Sequence, residues 1–341
     1  MTSIDVRRMA YKDLAEIYPQ FAQLMGTGEP ARAMTLATLE WFFRSNPAGQ
    51  SVCAGAFDGD KLVCVTSIVP KPFCIGGEAV TAAEVSAATT DAAYRGRGLF
   101  SRLVTFLIED ARDSGYAFLY ATPNPASGRI FLGKLGFTPL FHWNRSARAV
   151  AWNAHPSLPG LVRRVAPVMQ PAWEAAFPLR ARNTACTTDD RAHSEVVGLA
   201  KANDARCAVD RTAEYLDWRY SRPGRTYGHL HCRRDDGALV GWAATAFIRE
   251  GERRRIRIGD WWTTPDRSSL HGLLAGARDL AGELGATELY IAGRRPTGPE
   301  PDRRYGFVTR ASQRPVIGFS LHMDVSGLHD WDYREADADM F

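Results

Sequence analysis

The pattern that most constrains the fold of this chain is a phrase it states twice. Leu39-Glu40-Trp41-Phe42-Phe43, soon followed by Pro47, returns as Leu216-Asp217-Trp218-Arg219-Tyr220, soon followed by Pro223, at an offset of 177. Downstream of each copy a tight-turn signal joins two apolar runs, Asp58-Gly59 in the first and Asp236-Gly237 in the second. Further on, Gly115, Tyr120 and the pair Gly136-Phe137 recur as Gly285, Tyr290 and Gly306-Phe307, all at an offset of 170. Order and spacing survive apart from a net loss of seven residues, which identifies an internal duplication. With 341 residues, 45% of them apolar, each copy has enough material for its own core.

The coarse grammar of a copy is helix, long loop or second helix, strand hairpin, strand, helix, strand, helix, strand. In the first copy LVCVTSIVP and AVTAAEVSAATT read as strands. Apolar residues at 99, 100, 103, 104, 107, 108 and 111 set a helix from Leu99 to about Arg112, closed by Gly115. YAFLYAT is a short strand, and NPASGRIFLGKLGF a short helix entered through Pro125 and capped by Gly136 before a last strand. Between about Trp152 and Pro178 five prolines mark a linker. The expected division is residues 1–150, a linker at 151–178, and residues 179–341. The fold class is α/β in duplicate, two mixed-sheet lobes with flanking helices.

Charge and cysteine usage narrow the function classes. Lys plus Arg exceeds Asp plus Glu by 42 − 38 = +4, spread along the chain, so no nucleic-acid partner is implied. The run Arg253, Arg254, Arg255, Arg257 reads as a solvated hairpin face. No apolar run approaches the ~20 residues of a membrane helix, and the first residues lack the apolar stretch of a signal peptide. The expectation is a soluble, unprocessed cytoplasmic protein with no membrane partner. Cysteines 53, 64, 74, 186, 207 and 232 show no CxxC and no His at zinc spacing, so neither a disulfide framework nor a metal is expected.

Between the strand ending near Thr90 and the helix beginning near Leu99 stands Tyr94-Arg95-Gly96-Arg97-Gly98-Leu99-Phe100-Ser101. Two glycines and a helix N-terminus let consecutive amides converge on one spot, where the helix dipole also favours an anion, so a pyrophosphate is a natural guest. A nucleotide P-loop would need Gly-Lys-Ser/Thr at its end, and a dinucleotide fingerprint a third Gly at Ser101; both fail.

The stretch resembles the signature of the GNAT superfamily of acyl-CoA-dependent N-acyltransferases, Gln/Arg-x-x-Gly-x-Gly/Ala after a long strand and before a helix. Arg95 to Phe100 fits at every position but the last, where Phe100 replaces a small residue. Asn124 to Phe137 is similar to the family's second cofactor segment, which includes Phe131. Glu84 lies eleven residues before Arg95, where several such enzymes keep a general base. The resemblance covers about Ala82 to Leu140.

It implies acetyl-CoA or another acyl-CoA as co-substrate, wedged between the fourth and fifth strands. Amides around Ala88 and Thr90 would serve thioester and pantetheine, and those from Gly96 through Arg97, Gly98, Leu99 and Phe100 to Ser101 the pyrophosphate. The amine would attack the thioester directly. Glu84, on a largely apolar strand, is the expected base, its pKa raised by desolvation; the alternative is a structural carboxylate paired to an Arg. The family's usual acid, a Tyr four residues before the Gly-Phe pair, is absent, since Leu132 stands next to Phe131 there. Either the thiolate leaves unprotonated, or His142 or Tyr120 substitutes.

In the second copy Pro265-Asp266-Arg267-Ser268 stands at the place of Arg-Gly-Arg-Gly. It has no glycine, lacks one N–H and brings a carboxylate where a phosphate would go, so this degenerate lobe is expected not to hold CoA. Arg219, Tyr220, Asp260 and Trp262 are the expected acceptor contacts, and of Trp261 and Trp262 at most one should face a cleft. A tandem architecture with one degenerate lobe resembles N-acyltransferases of amino sugars, in particular nucleotide-linked ones. The implied partner is a small-molecule primary amine. The rival readings are an antibiotic amine, another small amine or a protein N-terminus as acceptor, or a non-catalytic acyl-CoA sensor.

Overall fold

The computed structural model describes residues 4–26, 35–179, 184–202, 207–296 and 299–338. The front half runs β1 (Ile4–Met9), α1 (Tyr11–Glu16), α2 (Tyr18–Met25), α3 (Leu36–Phe43), β2 (Val52–Asp58), β3 (Lys61–Ile75), β4 (Glu78–Thr90), α4 (Leu99–Asp113), β5 (Phe118–Ala121), α5 (Pro125–Lys134) and β6 (Thr138–Ala149). After α6 (Gly160–Ala176) the rear half repeats the scheme. It runs β7 (Thr184–Asp189), α7 (Glu195–Lys201), β8 (Cys207–Val209), α8 (Ala213–Tyr220), β9 (Gly228–Arg234), β10 (Leu239–Glu250), β11 (Arg253–Thr263), α9 (Arg267–Glu283), β12 (Glu288–Arg294), β13 (Val308–Ser320) and β14 (Tyr333–Arg334). The two hairpin signals fold as tight turns, with Gly59 at φ 62° and Gly237 at φ 84°.

The two halves share one sheet. Its order is β1-β2-β3-β4-β5-β13-β6-β12-β11-β10-β9-β7, with β8 added to β3 and β14 to β12. The last strand of each half crosses over: β13 pairs with β5 of the front half, and β6 with β12 of the rear. All four residues of β5 are buried, so this short parallel strand needs a neighbour on both sides, and the exchanged strand supplies it. α4 and α5 cover one face of the front half, where Leu99, Leu103, Val104, Leu107 and Phe131 meet Val63, Ala83 and Val85. On the other face the early helices and the C-terminal stretch pack over Val69, Phe73, Tyr120 and Phe141.

The repeated phrase sits at the pseudo-twofold. Trp41 and Trp218 stack with ring centroids 4.9 Å apart and planes 11° off parallel. Each indole N–H donates to the other's carbonyl oxygen, at 2.6 Å from Trp41 and 2.9 Å from Trp218. Repetition in sequence thus becomes reciprocity in space: each indole is both satisfied and buried by its counterpart.

Three expectations change. The proline-rich linker is mostly a 17-residue helix with Pro167 and Pro171 inside it. The prolines are four apart and both exposed, so the carbonyls that lose a donor face water. Its other side is anchored where the Arg148 guanidinium lies 4.3 Å from the Trp173 ring centroid. Cys186 and Cys232 form a disulfide, because sheet register places them opposite each other on β7 and β9, 46 residues apart in sequence; Cys53, Cys64, Cys74 and Cys207 are thiols. The Arg253–Arg257 run is not a solvated face throughout: Arg255 pairs with Glu250 and Glu288, and Arg257 with buried Glu335. No helix among the described residues is long and apolar enough to cross a membrane.

Candidate active site

The Arg-Gly-Arg-Gly turn folds as its composition demands. Gly96 and Gly98 take φ of 79° and 74°, and a Cβ at either would meet nothing within 4 Å. The glycines are therefore required by conformation rather than by crowding, and the turn opens to solvent. Gly98 caps α4 without any side chain, so the amides of Leu99, Phe100 and Ser101 keep the orphan donors of a helix start. Arg95 and Arg97 are exposed around it. Arg95 Nε donates to the Thr90 carbonyl at 3.3 Å, and Arg97 donates to the Ala93 carbonyl at 3.2 Å while lying 4.7 Å over the Tyr94 ring. The Tyr94 hydroxyl donates to Asp58 at 2.7 Å, tying the turn to the β2–β3 hairpin.

Beside the turn, β4 and β5 part. Their parallel pairing is limited to Ala83 with Leu119 and Glu84 with Tyr120, although β4 runs on to Thr90. Against β3 the register slips between Val65 and Ser67, so that β4 carries an extra residue there. Ala87, at φ 49°, is the one non-glycine with positive φ among the described residues. The bulge leaves Ala87 and Ala88 out of the ladder with β3, which resumes at Thr89 and Thr90. Ser86, Ala87, Thr89 and Thr90 are half-buried and Ala88 exposed. The result is an open, V-shaped notch that leads to the glycine turn. An acyl-CoA fits these residues: an unpaired strand edge for an amide chain and a glycine-lined helix start for a diphosphate.

At the apex of the notch Glu84 is buried, its carboxylate 3.5 Å from the ammonium of Lys71, with both side chains 3% exposed. The carboxylate is thus paired, but to a lysine rather than an arginine. Tyr120, its neighbour on β5, is fully buried and its hydroxyl donates to the Asp337 carbonyl. Burial, with the Glu84 and Asp337 carboxylates near, pushes this phenol well above its ordinary pKa. His142 is not brought to Glu84. Its strand neighbours Phe141 and Trp143 point into the core that holds Tyr120, which turns His142 to the opposite, exposed face, its Nδ1 2.7 Å from the Ser312 carbonyl.

Asn124 caps α5, its side-chain oxygen accepting from the amides of Ala126 and Ser127 at 2.9 and 3.0 Å. Phe131 is core, edge-on to Phe100 at 5.3 Å and to Phe137 at 4.7 Å. Leu132, at the position of the missing tyrosine, is 41% exposed.

The four expected acceptor contacts do not line an open cleft. Arg219 is buried and donates to the carbonyls of Ala336 and Ala338 at 3.0 and 3.1 Å. The Tyr220 hydroxyl donates to Asp260 at 2.9 Å, and Asp260 also holds Arg211 at 3.0 Å. Trp261 and Trp262 do alternate faces, but both are core. The stretch Trp331–Ala338, buried throughout, covers two of them directly, Arg219 through those carbonyls and Trp262 through the Arg334 guanidinium 4.8 Å from its ring centroid, and reaches Asp260 through Arg211. Arg211, missed by the sequence reading, is clamped between Asp260 and Asp337. Lys71 was missed too; the signal available was a lone lysine between two prolines in the apolar run VPKPF.

That stretch also explains the rear counterpart of the notch. By register with the repeated tyrosine, Arg257 on β11 stands opposite Tyr290 as Glu84 stands opposite Tyr120. Beyond it, Gly259 to Thr263 are all buried. Here β14 pairs with β12 at Gly293 and Arg294, and Arg334 Nε donates to the Trp261 carbonyl on β11 at 2.9 Å. The rear notch is filled by the chain's own C-terminal strand. At the start of α9 the Asp266 side chain accepts from the Ser269 amide at 2.8 Å, placing a carboxylate where the front half leaves an opening.

Among the described residues Asp189, His193 and His231 bring donor atoms within 4.8 Å of one another. The His193 amide donates to His231 Nε2 at 3.2 Å, which leaves the proton on Nδ1, 3.0 Å from Asp189.

Residues 5–140 match the family model described as the acetyltransferase (GNAT) domain. No curated protein matches the sequence. In structure, the chain is similar to a probable N-acyltransferase from Enterococcus faecalis V583, with a TM-score of 0.66 and 13% identity over 94% of this chain and 74% of that one. It is similar to an N-myristoyltransferase of Saccharomyces cerevisiae with bound myristoyl-CoA, with a TM-score of 0.59 and 12% identity over 94% and 79%. It is also similar to a tandem GNAT protein from the clavulanic acid biosynthesis pathway, with a TM-score of 0.60 and 15% identity over 94% and 99%. At these identities the shared property is the fold, and the match to the acetyltransferase domain covers residues 5–140.

Proposed function

We propose that this chain, a GNAT acyltransferase by its front domain and a tandem GNAT protein by its fold, moves an acyl group from acyl-CoA to a primary amine in a ternary complex. The observation that carries the reading is the open notch of β4 and β5 leading to the glycine turn, beside a rear notch that the chain fills itself. Residues 1–150 then form the acyl-CoA lobe and 179–341 the degenerate one, joined through 151–178. Ala88 and Thr90 would hold the pantetheine arm, and the amides from Gly96 to Ser101, with Arg95 and Arg97, the diphosphate. Bound there, the thioester supplies an activated acyl carbon.

The chain's own work is to hold the amine and take its proton. Glu84 sits at the apex of the notch and serves as the base: the ammonium proton passes to its carboxylate, leaving a neutral amine. Asn124 contributes by fixing the start of α5, and Phe131 by packing behind Phe100. Tyr120 faces Glu84 but is engaged by Asp337, and Leu132 has no proton to give, so the C–S bond breaks as the C–N bond forms with sulfur leaving as thiolate, and the second proton of the attacking nitrogen is released to water. His142 drops out of this scheme.

The acceptor class to test first is an amino sugar, free or nucleotide-linked, supported by the tandem architecture with one degenerate half. Arg219, Tyr220, Asp260 and Trp262 are no longer offered as its direct contacts. The experiment is free-thiol release from acetyl-CoA and longer acyl-CoAs with a panel of amino sugars, nucleotide-linked amino sugars, aminoglycosides and peptides. Binding without release by any amine would replace the enzyme with a sensor. In the active combination, Glu84→Gln should lower turnover by roughly 100- to 1000-fold and leave acyl-CoA affinity within about twofold; unchanged turnover removes Glu84 as the base.

A further inference from the structure

The buried lysine gives the degenerate half a part in the chemistry. Lys71 lies on β3 with Pro70 and Pro72 on either side. Past Ile68 the ladder with β2 has ended, so prolines here remove donors that would lack strand partners. Their carbonyls are held instead, Pro70 by the Asn46 side chain and Pro72 by the Asp210 amide, both at 2.8 Å. In register Lys71 opposes Ala82 and Val69 opposes Glu84, so Lys71 and Glu84 are diagonal neighbours on one face. The ammonium lies 3.5 Å from Glu84 and 5.8 Å from the Trp218 ring centroid. Trp218 belongs to the rear half and is fixed by its reciprocal bonds with Trp41.

We propose that Lys71 is the positioning residue of the base: held over Trp218, its ammonium keeps the buried Glu84 carboxylate ionised and aimed into the notch, so that the rear half tunes the front half's chemistry. This rests on the reading of Glu84 as the base. In a buried site a carboxylate without a counter-ion takes up a proton, and a protonated Glu84 cannot accept one from an ammonium. Groups near Glu84 include the phenols of Tyr120 on β5 and Tyr333 on β14, both pushed well above their ordinary range by burial. Asp337, beyond Tyr120, is an acid and adds no cation. Among these groups the positive charge is that of the Lys71 ammonium.

The test uses the full chain and the best acceptor found in the thiol assay. With Lys71→Met the acid limb of kcat/KM should move up by at least about one pH unit, so that below the parent's limb activity relative to the parent falls roughly tenfold, and the difference closes as pH rises. KM for acyl-CoA should not change, and Lys71→Arg should restore most of the loss. A uniform fall across pH, with the limb in place, makes Lys71 merely structural and overturns the proposal. Should Lys71→Met fail to fold, carbon-13 NMR of carboxyl-labelled glutamate in the parent decides, with the Glu84 signal assigned by its absence in Glu84→Gln. Ionisation maintained through pH 6 supports the proposal, and a protonated Glu84 at pH 7 overturns it. If no amine releases thiol from the parent, the acyltransfer reading fails, and the same titration run on the parent and on Lys71→Met still reports whether Lys71 sets the charge of Glu84.

Discussion

At the start of α4 the cap is Gly98, in a left-handed conformation with no side chain over the amides. At the start of α9 it is Asp266, whose carboxylate accepts from the Ser269 amide and from the hydroxyls of Thr264, Ser268 and Ser269. Those bonds hold the Asp266 carboxyl well below the usual carboxylate range despite partial burial. Both helices begin after a strand of the same sheet and face the same electrostatic problem. One half leaves its first amides without a side-chain acceptor, while the other supplies one from its own cap. The strand partings repeat the contrast, open beyond Glu84 in front and filled by β14 behind. Satisfying a site from within stabilises the fold, and leaving it open makes room for function.

The strongest way to break this comparison is to finish the front half like the rear. Gly98→Glu forces a side chain into a backbone at φ 74°, which costs ~1–2 kcal/mol, and puts a carboxylate where a diphosphate is to lie. Acyl-CoA affinity should fall by about 1000-fold or more, read by calorimetry, because a like charge in the turn adds to the strain. A variant that still binds acyl-CoA within tenfold of the parent would move the diphosphate away from this turn and remove the difference between the halves.

How much of this was legible in the sequence follows the range of the interactions. The glycine turn, the helix from Leu99 and both hairpins were readable because each is set by neighbours in the chain: a positive φ, a 3.6-residue period, a two-residue turn. The duplication was readable as repetition, but not that Trp41 and Trp218 would meet, since nothing local says two copies face each other. The exchange of β6 and β13 was invisible for the same reason. The C-terminal stretch was not read at all: Asp332, Arg334, Glu335 and Asp337 carry no local signal, yet all are buried. Their partners, Arg211 and Arg257 with Arg334 itself, are 70 or more residues away or within the stretch. Buried charge is stable only when paired, and pairing across the fold leaves no trace in a single sequence. Arg219, Tyr220, Asp260 and Trp262 were read as acceptor contacts, but Arg219 is taken up by the carbonyls of Ala336 and Ala338, Tyr220 and Asp260 by each other, and Trp262 by the core.

A second test sharpens the difference in how the halves are held. Within residues 1–150 the sequence has one histidine, His142, which is exposed, whereas the rear half buries His229 and His231. Burial, with His231 beside it, lowers the His229 pKa to about 4; burial and His193 lower that of His231. Both are neutral in the fold and bind protons more readily when unfolded. Stability from His229 is therefore full above its unfolded pKa of about 6.5 and is lost as pH falls toward 4. Between pH 7 and 5 the loss from His229 should be about 2 kcal/mol, measured by urea unfolding at the two values. His229→Phe keeps the ring that stacks on Trp242 but cannot be protonated, so its stability should vary less over the same range. An equal pH dependence in both proteins would show that the rear core does not hold this imidazole neutral.

The smallest effect asks whether the Asp266 carboxylate alone separates the two halves. Asp266→Ala removes the cap of α9 and should cost about 1 kcal/mol, because the Ser269 amide loses its acceptor at an exposed helix end. The thermal midpoint would drop by roughly 2 °C. In the parent the contribution is present above about pH 4 and fades as the carboxylate is protonated below it, since the folded pKa lies under the unfolded one. The informative reading is stoichiometry. Without Asp266 the α9 amides are open, yet Pro265 still lacks a donor, no glycine supplies a positive φ, and β14 still fills the strand parting. Acyl-CoA should therefore bind with one equivalent per chain, as in the parent. A second equivalent in Asp266→Ala would show that one side chain, rather than the filled notch, keeps the rear half from binding, and the contrast between the halves would shrink to a single carboxylate.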